Sequence, residues 1–144
     1  MSETTFRIRR ARWQEEREAL RQVRETVFVQ EQQVPPELEW DRLDERCLHL
    51  LAVDEAGNPI GTGRLLPDGH IGRMAVLKHW RGLGVGTALL HALMEEGRKR
   101  GLEELVLNAQ VSAIPFYERA GFRAEGAVFE DAGIPHRRMV WRTS

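Results

Sequence analysis

One cysteine, Cys47, stands in 144 residues. A single thiol cannot form an internal disulfide framework, which fits a reducing compartment. No apolar stretch approaches the roughly 20 residues needed to span a bilayer. The opening Met-Ser-Glu-Thr-Thr-Phe lacks the basic-then-apolar order of a secretory leader. These absences predict a cytoplasmic protein with no membrane partner. Charge of one sign is also missing: 21 Lys and Arg face 22 Asp and Glu, for a formal net charge of −1. That balance leaves no footprint for nucleic acid, and no basic run is dense enough for an anionic membrane. The histidines (His49, His70, His79, His91 and His136) are scattered rather than clustered, so no metal site is expected. Tyrosine occurs once, at Tyr117.

With 42% hydrophobic residues, the chain is long enough for one domain, 1–144, with a sizeable core. Phe6 to Arg9 alternates apolar and polar side chains as a half-buried strand does. From Gln14 to about Gln30, Leu20, Val23 and Val27 recur at helical spacing, with Trp13 seven before Leu20. Residues 31–45 lose that period around Pro35-Pro36 and read as a loop with one helical turn. Leu48–Val53, Ile60–Leu66 and Ile71–Leu77 are apolar runs separated by turn residues, as strands and hairpins are. A helix follows with Val85, Ala88, Leu89, Ala92 and Leu93 on one face, ended by Gly101. Leu105–Leu107 is a buried strand. Ser112 is placed to cap a short helix to about Ala120, with Pro115 in its first turn. Phe122 onward and His136–Trp141 supply two last strands. The order predicts an α/β (α+β) fold around a central sheet.

Between the strand ending near Val76 and the long helix lies Arg81-Gly82-Leu83-Gly84-Val85-Gly86-Thr87. Backbone N–H groups gathered at a helix start, with no side chains before them, form a socket for phosphate. The spacing is not the dinucleotide fingerprint, because Thr87 sits where the third glycine would fall. Nor is it the nucleoside-triphosphate loop, because no Gly-Lys-Ser/Thr follows. By itself the turn is open to a second reading, in which its glycines serve tight packing.

The order of features resembles the Gcn5-related N-acetyltransferase (GNAT) family. Its phosphate-loop motif, Gln/Arg-x-x-Gly-x-Gly/Ala, is matched by Arg81, Gly84 and Gly86. Its second signature, an Asn followed downstream by Tyr-x-x-x-Gly-Phe, is matched by Asn108 and by Tyr117 to Gly121-Phe122. The two stand about thirty residues apart in the expected order. Val27-Phe28-Val29-Gln30-Glu31-Gln32-Gln33-Val34-Pro35 and Glu130-Asp131-Ala132-Gly133-Ile134-Pro135-His136 look like the ElaA/YjcF-type branch. The resemblance implies an acyl-CoA N-acyltransferase fold, with a mixed, mostly antiparallel sheet flanked by helices.

It also implies acetyl-CoA as cosubstrate and an amine as acceptor. The pyrophosphate is then expected on Arg81, Gly82, Leu83, Gly84, Val85, Gly86 and Thr87. A side chain at Gly84 or Gly86 is expected to hold the phosphates off those amides. The pantetheine arm is expected along Met74, Ala75 and Val76, beside which Gly72 and Ala75 leave room, with a backbone N–H there polarising the thioester carbonyl. Asn108 is expected to bond the pantetheine amide. Tyr117 is expected to protonate the leaving thiolate, phenol and alkyl thiol being close in acidity. The base for the amine is sought among Glu31, Glu39, Asp41, His49 and His136; Glu31 and His136 are the chief candidates, since imidazole titrates near neutrality. The acidic 31–45 segment is expected to attract a cationic amine. An acetyl-cysteine route through Cys47 lacks a placed partner to activate the thiol. A homodimer is expected, paired through the final strand. Two alternatives stay open: a non-catalytic acetyl-CoA sensor, and transfer of another acyl group.

Overall fold

The computed structural model describes residues 5–143. Strands β1 (Phe6–Ala11), β2 (Leu48–Asp54), β3 (Pro59–Leu65) and β4 (Ile71–Val76) form an antiparallel sheet in that spatial order. Strands β5 (Glu104–Gln110), β6 (Arg123–Asp131) and β7 (Ile134–Arg142) form a second antiparallel sheet, ordered β5-β7-β6. Helices α1 (Trp13–Arg24), α2 (Pro36–Glu39), α3 (Val85–Lys99) and α4 (Ile114–Arg119) complete the fold. The expected central, mostly antiparallel sheet is present, divided in two.

β2 is buried along nearly its full length because both faces of the sheet are covered. Its alternate residues Leu51 and Val53 join Leu20 of α1 in one cluster, while Leu48, Leu50 and Ala52 join Leu89 and Leu93 of α3 in another. The period of two sorts one apolar run into two cores. α3 presses close to β3: a Cβ at Gly63 would lie 2.9 Å from Leu93 Cδ1.

The helix expected to run to Gln30 is α-helical only to Arg24 and continues as a π-helix over Glu25–Glu31. Thr26 Oγ1 donates to the Gln22 carbonyl at 2.9 Å, competing for the acceptor that an α-helical Thr26 N–H would use. The 31–45 segment holds α2 and a 3₁₀ turn at Asp44–Arg46 rather than one helical turn. Ser112 does not cap: it lies inside a 3₁₀ turn (Val111–Ala113), and α4 begins after Ala113 without a side-chain cap. The final strand cannot pair with a second copy, because β7 is hydrogen-bonded to β5 on one edge and to β6 on the other. The exposed edge of that sheet is β6.

Candidate active site

β4 and β5 run parallel but meet at one end only, through a His70–Val106 bridge in which Val106 N–H donates to Gly69 O at 3.0 Å. Among the described residues no ladder joins them beyond that point. A cavity of about 440 Å³ opens where they part, lined by Gly72, Arg73 and Met74 of β4 and by Leu107, Asn108 and Gln110 of β5. β4 carries a bulge here: Thr62 pairs with Ala75 and Arg64 with Gly72, so Gly63 alone opposes Arg73 and Met74. Arg73 takes a left-handed conformation (φ 49°). A bulge withdraws a main-chain group from the ladder and frees it for a ligand.

The glycine turn lies past the C-terminal end of β4. Gly84 is the N-cap of α3 with φ 90°, carries no capping side chain, and no acidic residue follows in the first turn. The helix ladder starts with Ala88 N–H to Gly84 O, so the amides of Val85, Gly86 and Thr87 begin without helical partners. Arg81, Gly82, Leu83, Gly84 and Thr87 are exposed. A Cβ at Gly84 would meet nothing within 4 Å, whereas one at Gly86 would lie 3.4 Å from Phe116 Cζ. Gly84 keeps open space before the amides, and a Cβ at Gly86 would stand in ordinary contact with Phe116, the residue beside Tyr117 on α4.

Tyr117 and Met74 face each other across the cavity, with the Tyr117 hydroxyl 4.0 Å from Met74 Sδ. Tyr117 is half-buried, and burial pushes its pKa up to about 12. It is therefore fully protonated at neutral pH. His136 lies on the same cavity, opposite Gln110 in register and stacked on Phe129. Its Nδ1–H donates to Ile134 O at 2.7 Å, which leaves Nε2 as the ring's free lone pair. Asn108 is exposed on β5, also at the cavity.

Glu31 is placed elsewhere. It is not part of the cavity wall; both its oxygens accept from Arg81, at 2.5 and 2.7 Å, and Arg81 Nε donates to Val76 O. The Arg81 hydrogen bonds hold the Glu31 carboxyl below its ordinary range. Its neighbour Gln32 accepts from Gln110 Nε2 at 2.9 Å. The end of the π-helix thus straddles the split, tied to the glycine turn on one side and to β5 on the other.

The acidic segment is not the cationic trap its composition suggested, because arginines from three other elements neutralise it. Arg24 binds Glu39 (2.8 Å) and Asp44 (2.7 Å); Arg64 binds Asp44 (2.9 Å) and Asp41 (3.0 Å). Arg73 binds Asp41 (3.1 Å) and Glu39 (3.2 Å). The result is a closed ring of alternating charge, in which every carboxylate serves two guanidiniums. Burial alone would raise the Asp41 carboxyl, but the Arg64 hydrogen bonds and the Leu43 N–H bring it down to about 2. The ring pins Arg73, and with it the bulge, to α1 and the 31–45 segment. Sequence reasoning missed it. One signal was available: Arg24 falls on the Leu20-Val23-Val27 stripe, where a charge is out of place unless paired.

His49 and Cys47 lie outside the cavity, in a separate cleft with Trp13. His49 Nε2–H donates to Asp44 O at 2.8 Å, the ring stacks on Trp13, and burial lowers its pKa. Burial pushes the Cys47 thiol up to about 11, the reverse of activation.

Among known proteins, the acetyltransferase (GNAT) domain family matches residues 14–143. The Bacillus subtilis protein called uncharacterized N-acetyltransferase YjcF is 42% identical over 122 residues, covering 82% of this chain and 86% of the relative. An acyl-CoA N-acyltransferase structure from Pseudomonas aeruginosa superposes with a TM-score of 0.85 at 30% identity, covering 95% of this chain and 99% of that one. Escherichia coli ElaA superposes with a TM-score of 0.85 at 26% identity, over 96% of this chain and 100% of that one. The match over most of the chain in sequence and in structure shows that the chain belongs to the GNAT acetyltransferase family, as an acyltransferase that uses an acyl-CoA and an acceptor.

Proposed function

We propose that this chain, as one domain spanning 1–144, transfers the acetyl group of acetyl-CoA to a primary amine by direct attack in a ternary complex. The observation that carries the reading is one cavity lined by both the bulged strand and Tyr117, in a fold where β4 leads on through the glycine turn to an uncapped helix N-terminus. The amides from Gly82 to Thr87 and the Arg81 guanidinium hold the pyrophosphate, where helix dipole and charge act together. Asn108 and the freed β4 backbone from Met74 to Val76 hold the pantetheine arm, and an N–H of that stretch stabilises the oxyanion.

His136 is the base. Its Nε2 takes the proton as the amine nitrogen bonds to the acetyl carbon and the carbon–sulfur bond breaks. Tyr117 then gives its proton to the departing thiolate; at a pKa of about 12 it is a weaker acid than free phenol, but it is always loaded. Glu31 is not a base in this scheme: it pairs with Arg81 and competes with the phosphates for that guanidinium. Direct transfer is favoured over an acetyl-cysteine because the Cys47 thiol is protonated and away from the cavity.

The test is release of free thiol from acetyl-CoA across a panel of amines, amino acids, polyamines and peptides, with the product identified by mass. The expected result is amine-dependent thiol release with an N-acetyl product. Thiol release only with a longer acyl-CoA, or acetyl recovered on Cys47, would overturn it.

A further inference from the structure

Among the described residues, the ring of charges leaves guanidinium N–H groups without protein acceptors at the lining of the cavity. Arg64 is 4% exposed, and its Nε finds no partner although both terminal nitrogens are engaged by Asp41 and Asp44. Arg73 uses Nε and Nη2 for Glu39, Asp41 and the Leu38 and Glu39 carbonyls; no protein acceptor meets its Nη1 among the described residues. Both arginines line the cavity. Gly72 lies between them. The position its side chain would occupy is open space, with Arg64 Nε at 3.9 Å as its single neighbour within 4 Å. Meanwhile Glu39, Asp41 and Asp44 each serve two arginines already, so no carboxylate of the ring is free to receive an ammonium group.

A buried guanidinium N–H without an acceptor carries a desolvation cost that an incoming oxygen removes. The oxygen best matched to such donors is that of a carboxylate, which charge-assisted bonds hold more tightly than a neutral carbonyl. We propose that the acceptor is an amine that also carries a carboxylate, and that this carboxylate docks over Gly72 on Arg64 Nε and Arg73 Nη1. The proposal rests on the acetyl-transfer reading for its amine and adds the class of molecule that brings it. Polyamines and simple alkylamines, lacking that oxygen, leave the donors unmet and are poor acceptors. The electrostatic logic is the reverse of an acidic trap.

Gly72→Ala is the decisive variant. Its φ is not left-handed and a Cβ there meets no atom closer than 3.9 Å, so the fold is kept while the methyl covers Arg64 Nε. Truncating Arg73 or Arg64 instead would open the ring and could unfold the protein. Calorimetry is run on wild type and Gly72→Ala saturated with coenzyme A, using free α-, β- and γ-amino acids, the carboxamide of each, and the amine left when each loses its carboxylate. An unchanged melting temperature in Gly72→Ala serves as the control, with coenzyme A kept saturating for both proteins. The expected result is an amino acid that binds at least tenfold more tightly than its carboxamide and its decarboxylated amine, a preference Gly72→Ala abolishes. Equal or tighter binding of the decarboxylated amines, no amino acid binding at all, or a preference untouched by Gly72→Ala overturns the proposal. Thiol release is read on the same panel: carboxylate-dependent binding without it sinks the transfer reading and leaves the docking site standing.

Discussion

Arg24→Met opens the charge ring at its most buried member. Arg24 is 1% exposed, and its guanidinium binds Glu39 at 2.8 Å and Asp44 at 2.7 Å while lying 5.0 Å from the Trp40 ring centroid. Methionine keeps the apolar stem packed, so the loss comes from the charge. Removing one partner of a buried ion pair costs about 3–5 kcal/mol, because the other is left desolvated. Here Glu39 keeps Arg73 and Asp44 keeps Arg64, which argues for the lower end, about 3 kcal/mol. Against a typical domain stability of about 5–15 kcal/mol the change is large. Urea unfolding followed by tryptophan fluorescence reads it directly. The double variant Arg24→Met/Glu39→Gln restores neutrality and should recover at least about 1 kcal/mol of coupling. A single-variant loss under about 1 kcal/mol would put the ring in the class of exposed pairs, and simple additivity in the double variant would refute a shared network.

Gly84→Val meets no clash but forces a β-branched residue into the left-handed region, at about 1–2 kcal/mol, and stands before the free amides of α3. It should fold and bind acetyl-CoA at least tenfold more weakly; unchanged calorimetric affinity would refute a phosphate site there. Tyr117→Phe should lower kcat by about 10²-fold or more with little change in the coenzyme KM, and full turnover would remove it as the acid. Glu31→Gln frees Arg81 from its carboxylate. Exposed pairs are worth about 0.2–1 kcal/mol, so coenzyme affinity should rise by up to about fivefold while turnover persists. A collapse of turnover would make Glu31 the base instead.

Strand and helix order, the glycine turn and the pairing of Asn108 with Tyr117 were legible along the chain, because each is written in neighbouring residues. Periods of 2 and 3.6, a breaker, or a stretch without side chains needs no distant partner to be recognised. Arg81 and Gly84 could be placed on the turn for the same reason. Glu31 could not be separated from His136 as base, because the difference is what each touches: an arginine fifty residues away, against the lining of a cavity.

What the linear order determined was therefore the fold class, the glycine turn at the start of the long helix and the set of candidate groups. Tertiary structure alone decided that β4 carries a bulge and that three acids of the 31–45 segment close a ring with Arg24, Arg64 and Arg73. The physical reason is range. Backbone preference and hydrophobic period act over a few residues, whereas a buried charge is tolerable only where its partners converge, and here they arrive from α1, β3 and β4 at once.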